Sequence, residues 1–84
     1  AQTVVEGRAP VDAKEQQEKA LGARISAGME SLRARDPERA RRHLTRALEM
    51  APKSFEAHNA MALLYRYEGD QKREEEHYRL ALRY

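Results

Sequence analysis

The sequence predicts an all-α chain built from paired helices, and three observations carry that prediction. Apolar residues recur at helical spacing and nowhere alternate with period two, so strands have no support. Helix-starting residues stand at regular intervals: Asp36 before Pro37-Glu38, Ser54 after Pro52, and Asp70 after Gly69. The best-formed stretch is Ser54 to Leu82, SFEAHNAMALLYRYEGDQKREEEHYRLAL, which reads as two short helices joined by Glu68-Gly69-Asp70. Small residues there (Ala57, Ala60, Ala62, Ala81) alternate with large ones (Phe55, Met61, Leu64, Tyr65, Tyr78, Leu82). A helix pair of this size cannot bury its apolar face alone and needs a neighbour stacked on it.

Composition narrows the classes. A chain of 84 residues makes one domain at most, burying about 60–65% of the surface its unfolded form exposes. Trp is absent and Phe occurs once, so the core must come from Leu, Met, Ala and Tyr. The 16 basic and 14 acidic side chains leave a net charge of +2, too little to argue for a polyanionic partner. Cysteine is absent, which removes disulfides, thiolate metal sites and thiol nucleophiles together. No apolar run approaches the roughly 20 residues that span a bilayer, and residues 1–10 lack a signal-peptide core. The helical pattern reaches Tyr84 without a stop signal, which leads us to expect a fragment of something longer at both ends.

In chain order, residues 1–12 mix Gly7, Pro10 and short polar runs and are expected to be a disordered or loosely docked lead-in. Asp12 is then the expected N-cap of a helix from Ala13 to Arg35, polar all round at first and carrying Leu21, Ile25, Met29 and Leu32 later. Asp36 caps a second helix, Pro37 suits its first position, and Glu38 favours the positive end of its dipole. That helix runs to about Met50, with Ala40, Leu44, Ala47, Leu48 and Ala51 on one face, and Pro52 stops it. Ser54 caps a third helix, Phe55 to Glu68, which Gly69 ends in the left-handed conformation. Asp70 caps a fourth, from Gln71 to about Arg83.

Sliding the chain against itself by 34 residues superimposes the Asp36 turn on the Asp70 turn. Between Leu21 and Met50 six of thirty pairs are then identical: Ala23 with Ala57, Asp36 with Asp70, Arg39 with Arg73, His43 with His77, Ala47 with Ala81, and Leu48 with Leu82. A helix-turn-helix period of 34 is the tetratricopeptide signature, in which small residues let helices approach and a large one fills the adjacent hole. The chain resembles that family through Ala62, Tyr65, Gly69, Tyr78, Ala81 and Leu82 in the second copy. In the first, Gly28, Ala40, Leu44, Ala47, Leu48 and Pro52 match. Departures fall at Glu74, where a small residue is wanted, and at Arg24, Ser31 and Arg35, where the pattern prefers two aromatics and Gly. The expected organisation is a tetratricopeptide domain over residues 13–84, an α-solenoid fragment with repeats near 21–54 and 55–84.

A narrower resemblance lies in ARISAGMESLRARDPERARRHLTRALEMAP followed by EAHNAMALLYRYEGDQKREEEHYRLAL. This run from Ala23 to Leu82 is similar to the opening repeats of the type IV pilus biogenesis and stability lipoproteins of the PilF/PilW type, most of all in AHNAMALLY and EEHYRLAL. The resemblance implies a periplasmic, outer-membrane-associated protein that supports localisation or multimerisation of the pilus secretin. It also implies an attachment to the membrane only through a lipid anchor outside this chain, with residues 1–20 as the tether.

What the tetratricopeptide resemblance implies about a site is a groove lined by the first helix of each pair, holding a protein partner. Carried over position by position, the first copy presents Ile25, Met29, Leu32 and Arg33, and the second Asn59, Leu63, Arg66 and Tyr67. Such an apolar groove suits an amphipathic segment, with Asn59 on partner backbone and Arg33 and Arg66 on carboxylates. Plain core is the favoured reading for Ile25 and Met29, while core and groove stand even for Leu63 and Tyr67, which sequence alone does not decide. The cluster Arg33, Arg35, Arg39, Arg41, Arg42 and Arg46 is expected to be a solvated face paired with Glu38, Glu49 and Glu74 to Glu76 across repeats. No aromatic residues interleave with it, so nucleic acid is not an expected partner.

His43, His58 and His77 do not share an i, i+4 face and have no acidic partner at ligand spacing, so no metal or other cofactor is expected. Ser26, Ser31 and Ser54 lack a nucleophile-elbow context, and no enzymatic activity is expected. The leading expectation is a protein-binding scaffold. The alternatives are a cytoplasmic tetratricopeptide adaptor for another peptide and, from a different class, a nucleic-acid-associated helical protein using the arginine cluster. Self-association through the face near Tyr78, Leu80 and Tyr84 is a further expectation.

Overall fold

A computed structural model describes the backbone from Gln2 to Tyr84 and the side chains from Asp12 onward. Among the described residues there are four α-helices and no strand: α1 (Gln2–Arg33), α2 (Pro37–Met50), α3 (Phe55–Glu68) and α4 (Gln71–Arg83). The last three begin and end where their caps predict. Each N-cap side chain accepts from the amide three residues on, Asp36 from Arg39, Ser54 from Ala57 and Asp70 from Arg73, all at 3.1 Å. These bonds satisfy first-turn amides that have no intrahelical partner.

α1 differs from expectation at both ends. It starts at Gln2, so the backbone expected as an irregular lead-in is helical and Asp12 lies inside the helix. A cap needs amides without carbonyl partners, and amides beyond Asp12 have theirs one turn back. The side chains of that lead-in lie outside the described residues. Residues 13–20 are exposed, in keeping with their polar composition. At its other end α1 stops at Arg33 and closes with Arg35 at φ 61°, although the residue is not glycine.

The closing turns of α1 and α3 are the same structure twice. Asp36 N–H donates to Ser31 C=O at 2.8 Å and Arg35 N–H to Leu32 C=O at 2.9 Å. One period later Asp70 N–H donates to Tyr65 C=O at 2.8 Å and Gly69 N–H to Arg66 C=O at 3.1 Å. This pair of bonds around a left-handed residue is the Schellman closure, which satisfies the last helical carbonyls.

The helices form a graded stack. Among the described residues α2 packs on α1 and α3, α1 also touches α3, and α4 touches α3 alone. The core accordingly lies in the middle: Ala40, Leu44 and Ala47 of α2, and Ala57, Ala60, Met61, Ala62 and Leu64 of α3. α1 reaches it through half-buried Ile25, Met29 and Leu32, joined by Leu48 and Tyr65. Gly28 brings α1 close against α2, since a Cβ there would lie 2.5 Å from Leu44 Cδ2. Ser31, buried where the family pattern prefers an aromatic, donates its hydroxyl proton to the Ala27 carbonyl at 2.8 Å.

Candidate functional site

α1 and α3 are neighbours, which brings the first helices of the two hairpins side by side. Of the eight residues predicted to line a groove, Ile25, Met29, Leu32 and Leu63 are half-buried, whereas Arg33, Asn59, Arg66 and Tyr67 are exposed. Ile25, Met29 and Leu32 each rest one side on the core and keep the other open. A shallow depression of about 320 Å³ gathers Ile25, Met29 and Arg33 with Ser26 and Glu30. Leu32 and the four second-copy residues do not line it. Chemically the depression is more polar than apolar, offering one cation, one anion and a hydroxyl beside Ile25 and Met29.

The arginine cluster is distributed differently from expectation. Among the described residues one ion pair crosses between hairpins, Arg41 on α2 with Glu68 at the end of α3. Arg41 also donates to the Tyr65 hydroxyl at 3.4 Å and stands 5.3 Å from that ring's centroid. The Glu68 hydrogen bond raises the Arg41 pKa, and desolvation opposes it. The remaining pairs stay within one helix or its cap: Arg39 with Asp36, Arg46 with Glu49, Arg73 with Asp70, and Arg79 with Glu75. Arg73 hydrogen bonding holds the Asp70 carboxyl below its usual range. Glu74 and Glu76 pair with none of the clustered arginines, because α4 does not touch α2. Exposed pairs of this kind stabilise by at most about 1 kcal/mol each.

Between α3 and α4 lies a cluster that within-helix spacing does not reveal. His58 is buried, with Nδ1 3.0 Å from His77 Nδ1 and Nε2 2.8 Å from the Pro52 carbonyl oxygen. The two imidazoles stack with centroids 5.3 Å apart, Tyr65 stacks on His77 at 5.4 Å, and Tyr84 tilts over His58 at 5.7 Å. Burial first, and the neighbouring His58 second, push the His77 pKa below its ordinary value, while Glu76 pulls the other way. One period earlier the same register holds Arg24 Nη1 3.3 Å from His43 Nδ1, out in solvent. The signal was therefore present as a 19-residue separation across each hairpin, repeated after 34 residues.

Among the described residues no group of three or more His, Cys, Asp or Glu side chains is arranged to hold a metal ion. No described helix is long and apolar enough to cross a membrane. Comparison with protein-family models, curated proteins and solved structures gives no match.

Proposed function

We propose that the chain is a protein-docking module of two tetratricopeptide repeats, which holds an amphipathic partner segment along α1 and α3 and carries out no chemistry of its own. The observation that supports it most is the side-by-side placement of α1 and α3, with apolar residues at Ile25, Met29 and Leu63 and exposed polar or aromatic ones at Arg33, Asn59, Arg66 and Tyr67. The neighbour order of the helices, and the identical closing turns one period apart, also favour a stack of repeats over a closed bundle. Taken with the phrases AHNAMALLY and EEHYRLAL, we further propose a periplasmic role at the outer membrane in localisation or multimerisation of the pilus secretin.

The test uses the full-length protein and the secretin itself. Association in a pull-down, together with loss of secretin multimers when the gene is deleted, is the expected result. Arg66→Glu combined with Tyr67→Ala, both exposed and so neutral for folding, should weaken capture about tenfold or more. Glu75→Ala on α4 serves as the control and should leave capture unchanged. Absence of association, with multimers intact in the deletion, rules out the pilus role. Capture untouched by the double variant rules out the groove.

A further inference from the structure

The histidine pair does something separate from docking, and its hydrogen bonds say what. The Pro52 carbonyl oxygen can only accept, so His58 Nε2, 2.8 Å away, carries a proton. A neutral His58 then has a bare Nδ1, and His77 Nδ1 at 3.0 Å must donate to it. The relay runs from the α2–α3 loop through α3 to α4. One added proton is accommodated on His77 Nε2 without breaking it. A second has only His58 Nδ1 to occupy, and there two N–H groups would face each other across 3.0 Å with no acceptor between them.

We propose that the His58–His77 relay is an acid-labile latch on α4: the folded pair takes up at most one added proton where the unfolded chain takes up two, so acidification releases α4 from α3. The surrounding groups do little to relieve the conflict. Tyr65 from α3 and Tyr84 after α4 flank the rings with their aromatic faces. Arg41 from α2 and Arg73 from α4 lie over Tyr65, with Arg41 engaged by Glu68. Glu76, next to His77 in sequence, is the carboxylate that favours charge on it, and burial together with His58 outweighs that pull. Among the described residues α4 has α3 as its sole helical neighbour, so a break in this interface is not compensated by a second one. The equivalent Arg24–His43 contact is exposed and joins α1 to α2, which is held on two sides.

The sign follows from linkage. A histidine whose folded pKa lies below its unfolded value of about 6.5 contributes stability above that pH, and the contribution disappears as pH falls through the folded value. With one proton fewer bound in the folded state, the unfolding constant should rise about tenfold per pH unit below about pH 6. Urea unfolding of the whole chain from about pH 7.5 to about pH 5, above most carboxylate titration, measures this. His77→Gln cannot titrate, and its carboxamide can turn either an N–H or its oxygen toward His58 Nδ1, so both charge states of His58 find a partner and most of the slope should disappear. An unchanged slope in His77→Gln overturns the latch, as does a flat wild-type profile. Ring-proton NMR titration of the wild type covers the case of a variant that does not fold. There the expectation is that α4 amides lose exchange protection as the second proton binds, and both rings fully charged with α4 still protected overturns the idea.

Discussion

The two hairpins carry identical residues in unequal surroundings. Ala47 is fully buried and its counterpart Ala81 only half-buried; Leu48 is half-buried and Leu82 is 89% exposed. Residue type cannot explain the difference, because in both pairs it is the same. Position in the stack does: α2 is covered by α1 on one side and α3 on the other, whereas α4 has α3 alone. The first helices show the converse. α3 supplies most of the buried side chains, while α1, laid against the outside, contributes Gly28 and Ser31 at the positions of Ala62 and Tyr65. A helix here is held by the neighbours that cover it and not by its residue types alone. The middle of the stack should therefore respond to substitution far more than either end.

Leu44→Ala tests that contrast at its strongest. Leu44 is one of two large side chains with no exposure, set between α1 and α3. Truncation should cost about 2–5 kcal/mol, out of a total of roughly 4–12 kcal/mol for a domain of this size. Tyr78→Ala at the equivalent place on α4 should cost clearly less, and urea titration of both variants gives the ratio. Equal losses would contradict the graded stack.

Gly28→Ala examines the same contact from α1. Alanine improves helix propensity by about 1 kcal/mol, but its Cβ would stand 2.5 and 2.6 Å from the enclosed Leu44 side chain. Overpacking of about 1–3 kcal/mol should win, giving a net loss. Gly22→Ala, with nothing within 4 Å of the added carbon, should show the propensity gain alone. Thermal melts of the two variants moving in opposite directions is the expected outcome.

Where a single residue type makes a single local bond, the sequence was enough. Asp36, Ser54 and Asp70 cap because their oxygens reach the amide three residues on, whatever the tertiary structure does. Asp12 has the same side chain but lies inside α1, since nothing in its chemistry tells whether the preceding turn is helical. How far Ile25 and Met29 sink into the core depends on how α1 lies on α2, which spacing along one helix does not report. The expected charge pairing across repeats fails at Glu74 and Glu76 for the same reason, as it required contact between α2 and α4. The contact between His58 and His77 is set by the hairpin register, which same-helix spacing does not report.

The smallest expected effect lies in the two closing turns, where the copies place different residues in the left-handed position. Arg35 and Gly69 both sit in the left-handed region, at φ 61° and 78°. A side chain there costs about 1–2 kcal/mol through the clash of Cβ with the following carbonyl, and Gly69 avoids it. Arg35→Gly should therefore stabilise, but by less than that figure, because glycine also gives the unfolded chain more freedom to lose. A net gain of about 0.5–1 kcal/mol is expected. Gly69→Ala should lose a similar amount, with open space around the added carbon leaving backbone strain as the sole cause. Equilibrium unfolding of both variants separates the two origins of a turn's stability. If Arg35→Gly gave no gain while Gly69→Ala still lost, the Arg35 side chain would have to be offsetting its own strain through contacts that the second turn lacks.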